Sequence, residues 1–197
     1  IFKKAGFNPH VYGSIARGNV HEGSDIDIVC TRKISPFIIE LALKRHGIEH
    51  YAREIIMATP GDALKLYIHV DELKSITVPL SKLDKTSLEF YDFGGKVSLH
   101  QLKSKVRVPG IDKRLVLIKP TAEGHEESSI LHNESTAARE LNISIDTVLE
   151  RKRVLLRREK HGRTGVFLKR SLGARESTEE VLKELANENS IVRKKIF

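Results

Sequence analysis

Val11-Tyr-Gly-Ser-Ile-Ala-Arg-Gly-Asn-Val-His-Glu-Gly-Ser-Asp-Ile-Asp-Ile-Val29 is the stretch from which the rest of the chain is read. A Gly13-Ser14 pair is followed by ten residues, 15 to 24, and then by Asp25-Ile26-Asp27-Ile28. On a strand, side chains alternate between faces, so Asp25 and Asp27 project together while Ile26 and Ile28 enter the core. Two neighbouring carboxylates repel each other, and a bare protein gains little from holding them side by side. A hard divalent cation reverses that sign, and Mg2+ prefers carboxylate oxygens. Upstream, Gly13 allows a tight turn after a short strand His10 to Tyr12. Ser14 and the amides after it would then sit at a helix start, where phosphate is favoured. Phosphate site, metal site and a short connecting helix together point to nucleotidyl or phosphoryl transfer. The bland alternative, a Gly-Ser turn before an edge strand with two solvated aspartates, explains neither the spacing nor the apolar alternation.

This stretch resembles the signature of the polymerase-beta-like nucleotidyltransferase superfamily. The variant Gly13-Ser14-x-Ala16-Arg17-Gly18 followed by Ser24-Asp25-Ile26-Asp27 is similar to small prokaryotic members, archaeal ones above all, and the resemblance covers roughly residues 1 to 75. It implies a mixed sheet with flanking helices, a nucleoside triphosphate substrate and two Mg2+ ions. It also implies a third carboxylate from a neighbouring strand. Ala63 to Asp71 reads as a strand with Leu66, Ile68 and Val70 on one face and Tyr67, His69 and Asp71 on the other. Asp71 is therefore the candidate, able to hold metal and to assist deprotonation of an attacking hydroxyl. The alternative is a strand-end aspartate that opens a turn, with Glu72, Asp62 and Glu54 as fallback positions. His69 reads as a surface or interface histidine. Arg17, on the first turn after Ser14, could reach a triphosphate with its planar fork or pair with Glu22.

The chain has 197 residues, enough for one and a half domains or two small ones. Its net charge of +8 points to anionic partners. The single cysteine, Cys30, cannot form an internal disulfide and reads as a small buried hydrophobe. No apolar run approaches the ~18 residues of a membrane span and no signal peptide is visible, so a cytoplasmic protein without membrane contact is expected. The chain starts at Ile1 without a methionine, so further residues are expected before it, with Phe2-Lys3-Lys4-Ala5 as a helix end.

After the motif, Ser35-Pro36 fits a helix start, with Phe37, Ile38, Leu41, Ala42 and Arg45 at helical spacing and Gly47 closing. Ile48 to Met57 reads as a strand and Thr59-Pro60-Gly61-Asp62 as a turn. Beyond Pro79 the character changes: residues 81 to 120 carry nine Lys or Arg against four Asp or Glu. Leu88 to Phe93 and Lys96 to Leu99 read as a hairpin about Gly94-Gly95, followed by strands at Lys103 to Val108 and Arg114 to Ile118. This middle segment is a β-rich basic connector, either a solvated charged face or a nucleic-acid or substrate surface, which could complete the catalytic cleft or form a dimer interface.

The last third resembles a helix-turn-helix. Ala137, Ala138 and Leu141 lie on the first helix, Ile143 plugs the turn, and Ser144 caps a second helix running to about Arg158. Ile145, Val148, Leu149, Leu155 and Leu156 are read as inward; Thr147, Glu150, Arg151, Arg157 and Arg158 as outward. Lys152 falls within the apolar arc, explained at most by a snorkelling stem. His161 to Gly165 followed by Val166 to Leu168 reads as a hairpin wing, and Ser177-x-x-Glu180 opens a closing helix. Residues 151 to 175 hold ten Lys or Arg and one Glu. Thr147, Arg151, Arg157, Arg158 and Arg163 are the candidate nucleic-acid contacts, against a winged helix used for dimerisation or packing.

The expected architecture is α+β: a nucleotidyltransferase-like domain over 1–80, the β-rich connector over 81–120, and a winged helix-turn-helix domain over 121–197. The expected activity is metal-dependent transfer of an NMP from a nucleoside triphosphate to a hydroxyl acceptor. Asp25, Asp27 and Asp71 would hold two Mg2+ ions, and Gly13, Ser14 and Arg17 the nucleotide. Partners are a nucleoside triphosphate, nucleic acid through the C-terminal part, and a possible homodimer. The competing expectation is a winged-helix DNA-binding regulator whose nucleotidyltransferase-like domain only senses nucleotide or is inactive.

Overall fold

The computed structural model describes residues 1–162 and 164–197. A 3-10 turn (Phe2–Ala5) leads to β1 (His10–Tyr12), α1 (Ser14–Arg17), β2 (Ile26–Val29) and α2 (Pro36–Arg45). Next come β3 (Ala52–Met57), β4 (Lys65–His69), β5 (Lys74–Pro79), α3 (Lys85–Gly94), β6 (Lys96–Ser98) and α4 (Leu99–Lys103). The chain continues through β7 (Gly110–Ile111), β8 (Val116–Pro120), β9 (His125–Ser129), α5 (Glu134–Leu141) and α6 (Ile145–His161). It ends with β10 (Leu168–Leu172), α7 (Thr178–Glu188) and α8 (Ser190–Ile196).

These elements form two compact units, the first made of residues 1–9, 27–84 and 165–197, the second of 10–26 and 85–164. In the first unit the strand order is β10-β3-β4-β5-β2. Antiparallel registers pair Ile55 with Arg170 and Leu66, and Ile68 with Ile76. Every second residue of these strands faces a core built from Ile55, Met57, Leu66, Ile68, Ile76 and Val78, with Ile39, Leu43, Val181 and Val192 from the helices. Cys30 is buried here, and burial pushes its thiol up to about 12, the behaviour of an inert core residue.

The α2 boundaries follow the sequence signals, but its cap and its face do not. Ser35 Oγ donates to Glu179 Oε1 on α7, and the same oxygen accepts from Phe37 N, so a distant carboxylate caps this helix. Gly47, at φ +66°, closes the other end, with Ile48 N donating back to Leu43 O. The buried positions are Pro36, Ile39, Ala42 and Leu43, whereas Phe37 and Ile38 are 59% and 42% exposed. Apolar residues occupy two overlapping arcs of this helix, and periodicity alone selects the wrong one.

In the second unit β1 pairs antiparallel with β6, and β7-β8-β9 form a small antiparallel sheet. Its core joins Phe93, Ile111, Leu115, Leu117, Ile130, Ala137, Ala138 and Val148. The strand expected at Leu88 to Phe93 is instead helix α3, which carries a Lys85–Glu89 ion pair at helical spacing. Its aromatic content reads as β, and packing overrides that preference. Residues after Lys103 do not form the expected strand, while the fully exposed β9 carries no apolar alternation that could announce it. Helices α5 and α6 are joined by a tight turn: Asn142 is left-handed at φ +52°, Ile143 N donates to Ala138 O, and Ser144 accepts from Thr147 N. The hairpin wing is absent from the described residues. Leu168–Leu172 pairs instead with β3, and α7 with its Ser177 cap packs into the first unit, so residues 165–197 do not group with α5 and α6.

Candidate functional site

Gly13 sits at φ +84° and ψ −145°, a backbone conformation that side-chain-bearing L-residues rarely adopt. Its N–H donates to Gly95 O at 2.9 Å, which fixes the turn from which α1 departs. Ser14 opens that four-residue helix and Gly18, at φ +83°, ends it. Ala16 is buried and its carbonyl accepts from Val108 N at 3.0 Å.

Arg17 departs from the expected open phosphate fork. It is 6% exposed, with Nε donating to Asn19 Oδ1 at 3.1 Å and Nη1 to Gly94 O at 2.6 Å. Burial pushes its pKa down. The side chain ties α1 to the end of α3.

Asp25 is exposed immediately before β2, and Asp27 is half-buried within that strand. Burial alternates less cleanly than expected, since Ile26 and Ile28 are half-buried and both Val29 and Cys30 are buried. Asp27 Oδ1 accepts from Ser75 Oγ at 2.6 Å. Ser75 lies on β5, where the register sets it opposite His69, with Thr77 opposite Tyr67 on the same side. Tyr67 is in turn opposite Glu54 on β3. One face of this sheet therefore carries Asp27, Ser75, Thr77, Tyr67, His69 and Glu54, while the other carries the aliphatic core.

Electrostatics on that face are coupled. Burial raises the Tyr67 phenol, and the negative charges of Asp27 and Asp62 raise it further. Lys169 at 2.8 Å and Ser171 at 3.3 Å hold Glu54 below the usual carboxylate range. His69 Nε2 stands 3.8 Å from Glu54 Oε2, and the Tyr51 ring lies 5.8 Å from the imidazole. The sequence places Tyr67 on this face but gives no mark to Ser75, whose only signal is the alternation along its own strand.

Asp71 lies past the end of β4, in the turn to β5. One carboxylate oxygen accepts from Leu73 N at 3.0 Å and the other from Lys74 Nζ at 2.6 Å. That is the turn-opening role weighed against a metal ligand. Among the fallbacks, Asp62 accepts from Thr59 Oγ1 at 2.7 Å in the turn before β4, and Glu54 is paired with Lys169. β5, the strand next to β2 in the first unit, reads Lys-Ser-Ile-Thr-Val-Pro and has no carboxylate. Among the described residues no group of three or more His, Cys, Asp or Glu side chains is placed to hold a metal ion. The donor chemistry of Asp25 and Asp27 still suits Mg2+, which is commonly bound by one or two carboxylates together with substrate phosphates.

The candidate nucleic-acid contacts divide. Thr147 is 1% exposed and its hydroxyl donates to Glu89 Oε2 on α3 at 2.5 Å; Ser144 Oγ donates to the same oxygen. Arg151 is half-buried, its guanidinium carbon 4.6 Å from the Phe90 ring centre. Both residues are engaged by α3, which corrects their outward placement. Arg157 and Arg158 are exposed near the C-terminal end of α6. Arg163 lies outside the described residues. Lys152 pairs with Glu134 at 2.5 Å, which accounts for a charge within the apolar arc.

Residues 4–82 match the family model of the nucleotidyltransferase domain, a span that contains Gly13-Ser14 and both Asp25 and Asp27. No curated protein and no solved structure matches the chain. Among the described residues no helix is long and apolar enough to cross a membrane.

Proposed function

We propose that the nucleotidyltransferase domain over residues 4–82 is active in this chain, and that it moves an NMP from a nucleoside triphosphate to a hydroxyl acceptor. The observation that carries this reading is the Asp25-x-Asp27 pair, with Asp27 fixed by Ser75 on the polar face of an otherwise apolar-backed sheet. Asp25 and Asp27 would hold Mg2+, two ions in the full reaction. Bound there, the metal would activate the attacking hydroxyl and neutralise charge on the triphosphate.

The chain's own groups have separate tasks. The Ser75 hydroxyl occupies one oxygen of Asp27 and so orients the carboxylate, limiting the rotamers it can adopt. The Gly13 turn directs the first amides of α1, which have no helical carbonyl to bond, towards a phosphate beside Ser14. Arg17 holds that turn in place from below. Asp71 would serve as a third ligand only by releasing Lys74. Acceptors in reach of this reading are a nucleic acid, a protein side chain or a small molecule, with Arg157 and Arg158 as the exposed cations of the helix-turn-helix.

A second reading has one specific observation in its favour. The strand beside β2 offers hydroxyls where a third carboxylate is expected, which suits a nucleotide-sensing regulator without turnover. Titration calorimetry with Mg-nucleotide, run beside a pyrophosphate-release assay, separates the two. An enzyme binds and releases pyrophosphate, and both are lost in Asp25→Ala/Asp27→Ala. A sensor binds nucleotide through the same residues without pyrophosphate release.

A further inference from the structure

Helix α6 has two sides of different character. Val148 is buried in the core of the second unit, with Leu155 packed against it, and Thr147 and Arg151 are engaged by α3. On the outward side, Ile145, Leu149 and Leu156 are 39%, 42% and 39% exposed. These three lie at spacings of four and seven residues, one stripe along the helix. Lys152 falls on the same stripe, but its ammonium is drawn aside to Glu134 on α5, leaving its methylenes along the apolar line. Positions 145, 149, 152 and 156 reproduce the alternating four-three spacing of a coiled-coil seam.

A second stripe runs beside the first, one residue further along: Asp146, Glu150, Arg153 and Arg157, all exposed. Its N-terminal half is acidic and its C-terminal half basic. This polarity decides what can lie on the helix. A groove of nucleic acid would meet two carboxylates and three aliphatic side chains on the face a recognition helix inserts, which is a poor match for phosphates and base edges. A parallel copy of α6 would set acid against acid and base against base. An antiparallel copy with Ile145 against Leu156 sets Asp146 between Arg153 and Arg157 of the second copy, lays Leu149 along the methylenes of its Lys152, and brings Glu150 beside the two-fold axis.

We infer that the outward stripe of α6 is a self-association surface on which a second copy of this chain packs antiparallel, apolar seam to apolar seam with reversed charge flanks. The surface is the same patch on both copies, as a two-fold interface requires. One pair of helices this short lies at the weak end of specific interfaces, so the dimer forms in a concentration-dependent way. The inference does not involve the nucleotide site, but it assigns Arg157 to a charge flank of this interface rather than to a nucleic-acid acceptor.

The test uses the full chain in sedimentation equilibrium over a concentration series, with circular dichroism confirming that each variant keeps its helix content. The wild type is expected to move from monomer to dimer mass. Asp146→Arg/Glu150→Arg and Arg153→Glu/Arg157→Glu should each weaken association by at least about tenfold, because like charges then face each other. An equimolar mixture of the two variants should regain dimer mass, since each supplies the charge the other lost. A wild type that stays monomeric at every concentration overturns the inference, as does a dimer that both variants retain or a mixture that stays monomeric. Duplex DNA binding by a monomeric wild type, lost in Arg153→Glu/Arg157→Glu, would assign the face to nucleic acid instead.

Discussion

Arg53 in the first unit and Glu89 in the second are both buried charges, and each ties together segments far apart in sequence. They are satisfied by different chemistry. Arg53 Nη1 donates to Glu40 Oε1 at 3.0 Å and to Thr178 Oγ1 at 3.3 Å, while Nη2 donates to the carbonyls of Gly173 and Glu176 at 2.9 and 2.8 Å. One guanidinium thus binds β3 to α2 and to the loop between β10 and α7. Glu89 instead accepts from the hydroxyls of Ser144 and Thr147 at the start of α6, with Lys85 at 3.5 Å as a mostly exposed counter-ion. Burial alone would raise the Glu89 pKa; those hydroxyl donors outweigh it and hold the carboxyl below its usual range. An ion pair reinforced by carbonyls leaves its partners stranded when it is removed. Hydroxyls at a helix start can rebond to the backbone. The first unit should therefore suffer more from losing its charge than the second.

Removing the guanidinium is the strongest way to sharpen that contrast. Arg53→Met should cost about 3–5 kcal/mol in denaturant unfolding, because two carbonyls lose their donor and Glu40 keeps only the Thr178 hydroxyl. A cost below that of the Glu89 variants would reverse the ranking. Glu89→Ala should cost about 1–3 kcal/mol, with Glu89→Gln recovering part of it, since an amide oxygen can still accept from Thr147. Gly110→Ala probes the second unit without touching charge. An added Cβ there would lie 2.6 Å from the Gly94 carbonyl carbon and the Gly95 nitrogen, so backbone must move, at about 1–3 kcal/mol. Full retention of stability in that variant would mean that α3 and β7 are not held as closely as described.

A subtler effect is a pH dependence within the second unit. Lys152 holds Glu134 down to about 2 against an ordinary 4.5, and Glu89 is also held below its usual range. A depressed carboxyl contributes stability that is present above its unfolded value and is lost as pH falls through its folded value. The α5–α6 pair should accordingly loosen as pH falls from about 4.5 towards 2, read by NMR chemical shifts of its amides. Lys152→Met should move the Glu134 titration back towards its ordinary value and leave that of Glu89 in place. Unchanged titration of Glu134 in the variant would remove the ion pair from the account.

Local signals carried the parts of the molecule that local physics decides. Gly13 at a strand-to-helix turn, Gly47 after α2, and Ser144 and Ser177 as helix caps could all be read from a few adjacent residues. The long-range ties could not. Thr147 is outward by helical arithmetic until Glu89, 58 positions away, covers it. The same holds for the wing, since residues 168–172 find β3 across more than a hundred residues of chain. Leu88 to Phe93 is misread for another reason: its aromatic residues favour a strand, and packing of α3 against α6 and β7 overrides that preference. Of the site, Asp25 and Asp27 were legible from spacing, whereas Ser75 could be found only once the β5 register was known.

The most direct test of the central claim is transfer of label from α-32P nucleoside triphosphates, with Mg2+, into tRNA, DNA, protein and small-molecule acceptors. Asp25→Ala/Asp27→Ala runs alongside. The account predicts label in one acceptor class and none with the double variant. Absence of transfer to every acceptor, from a chain that still binds Mg-nucleotide, would contradict it.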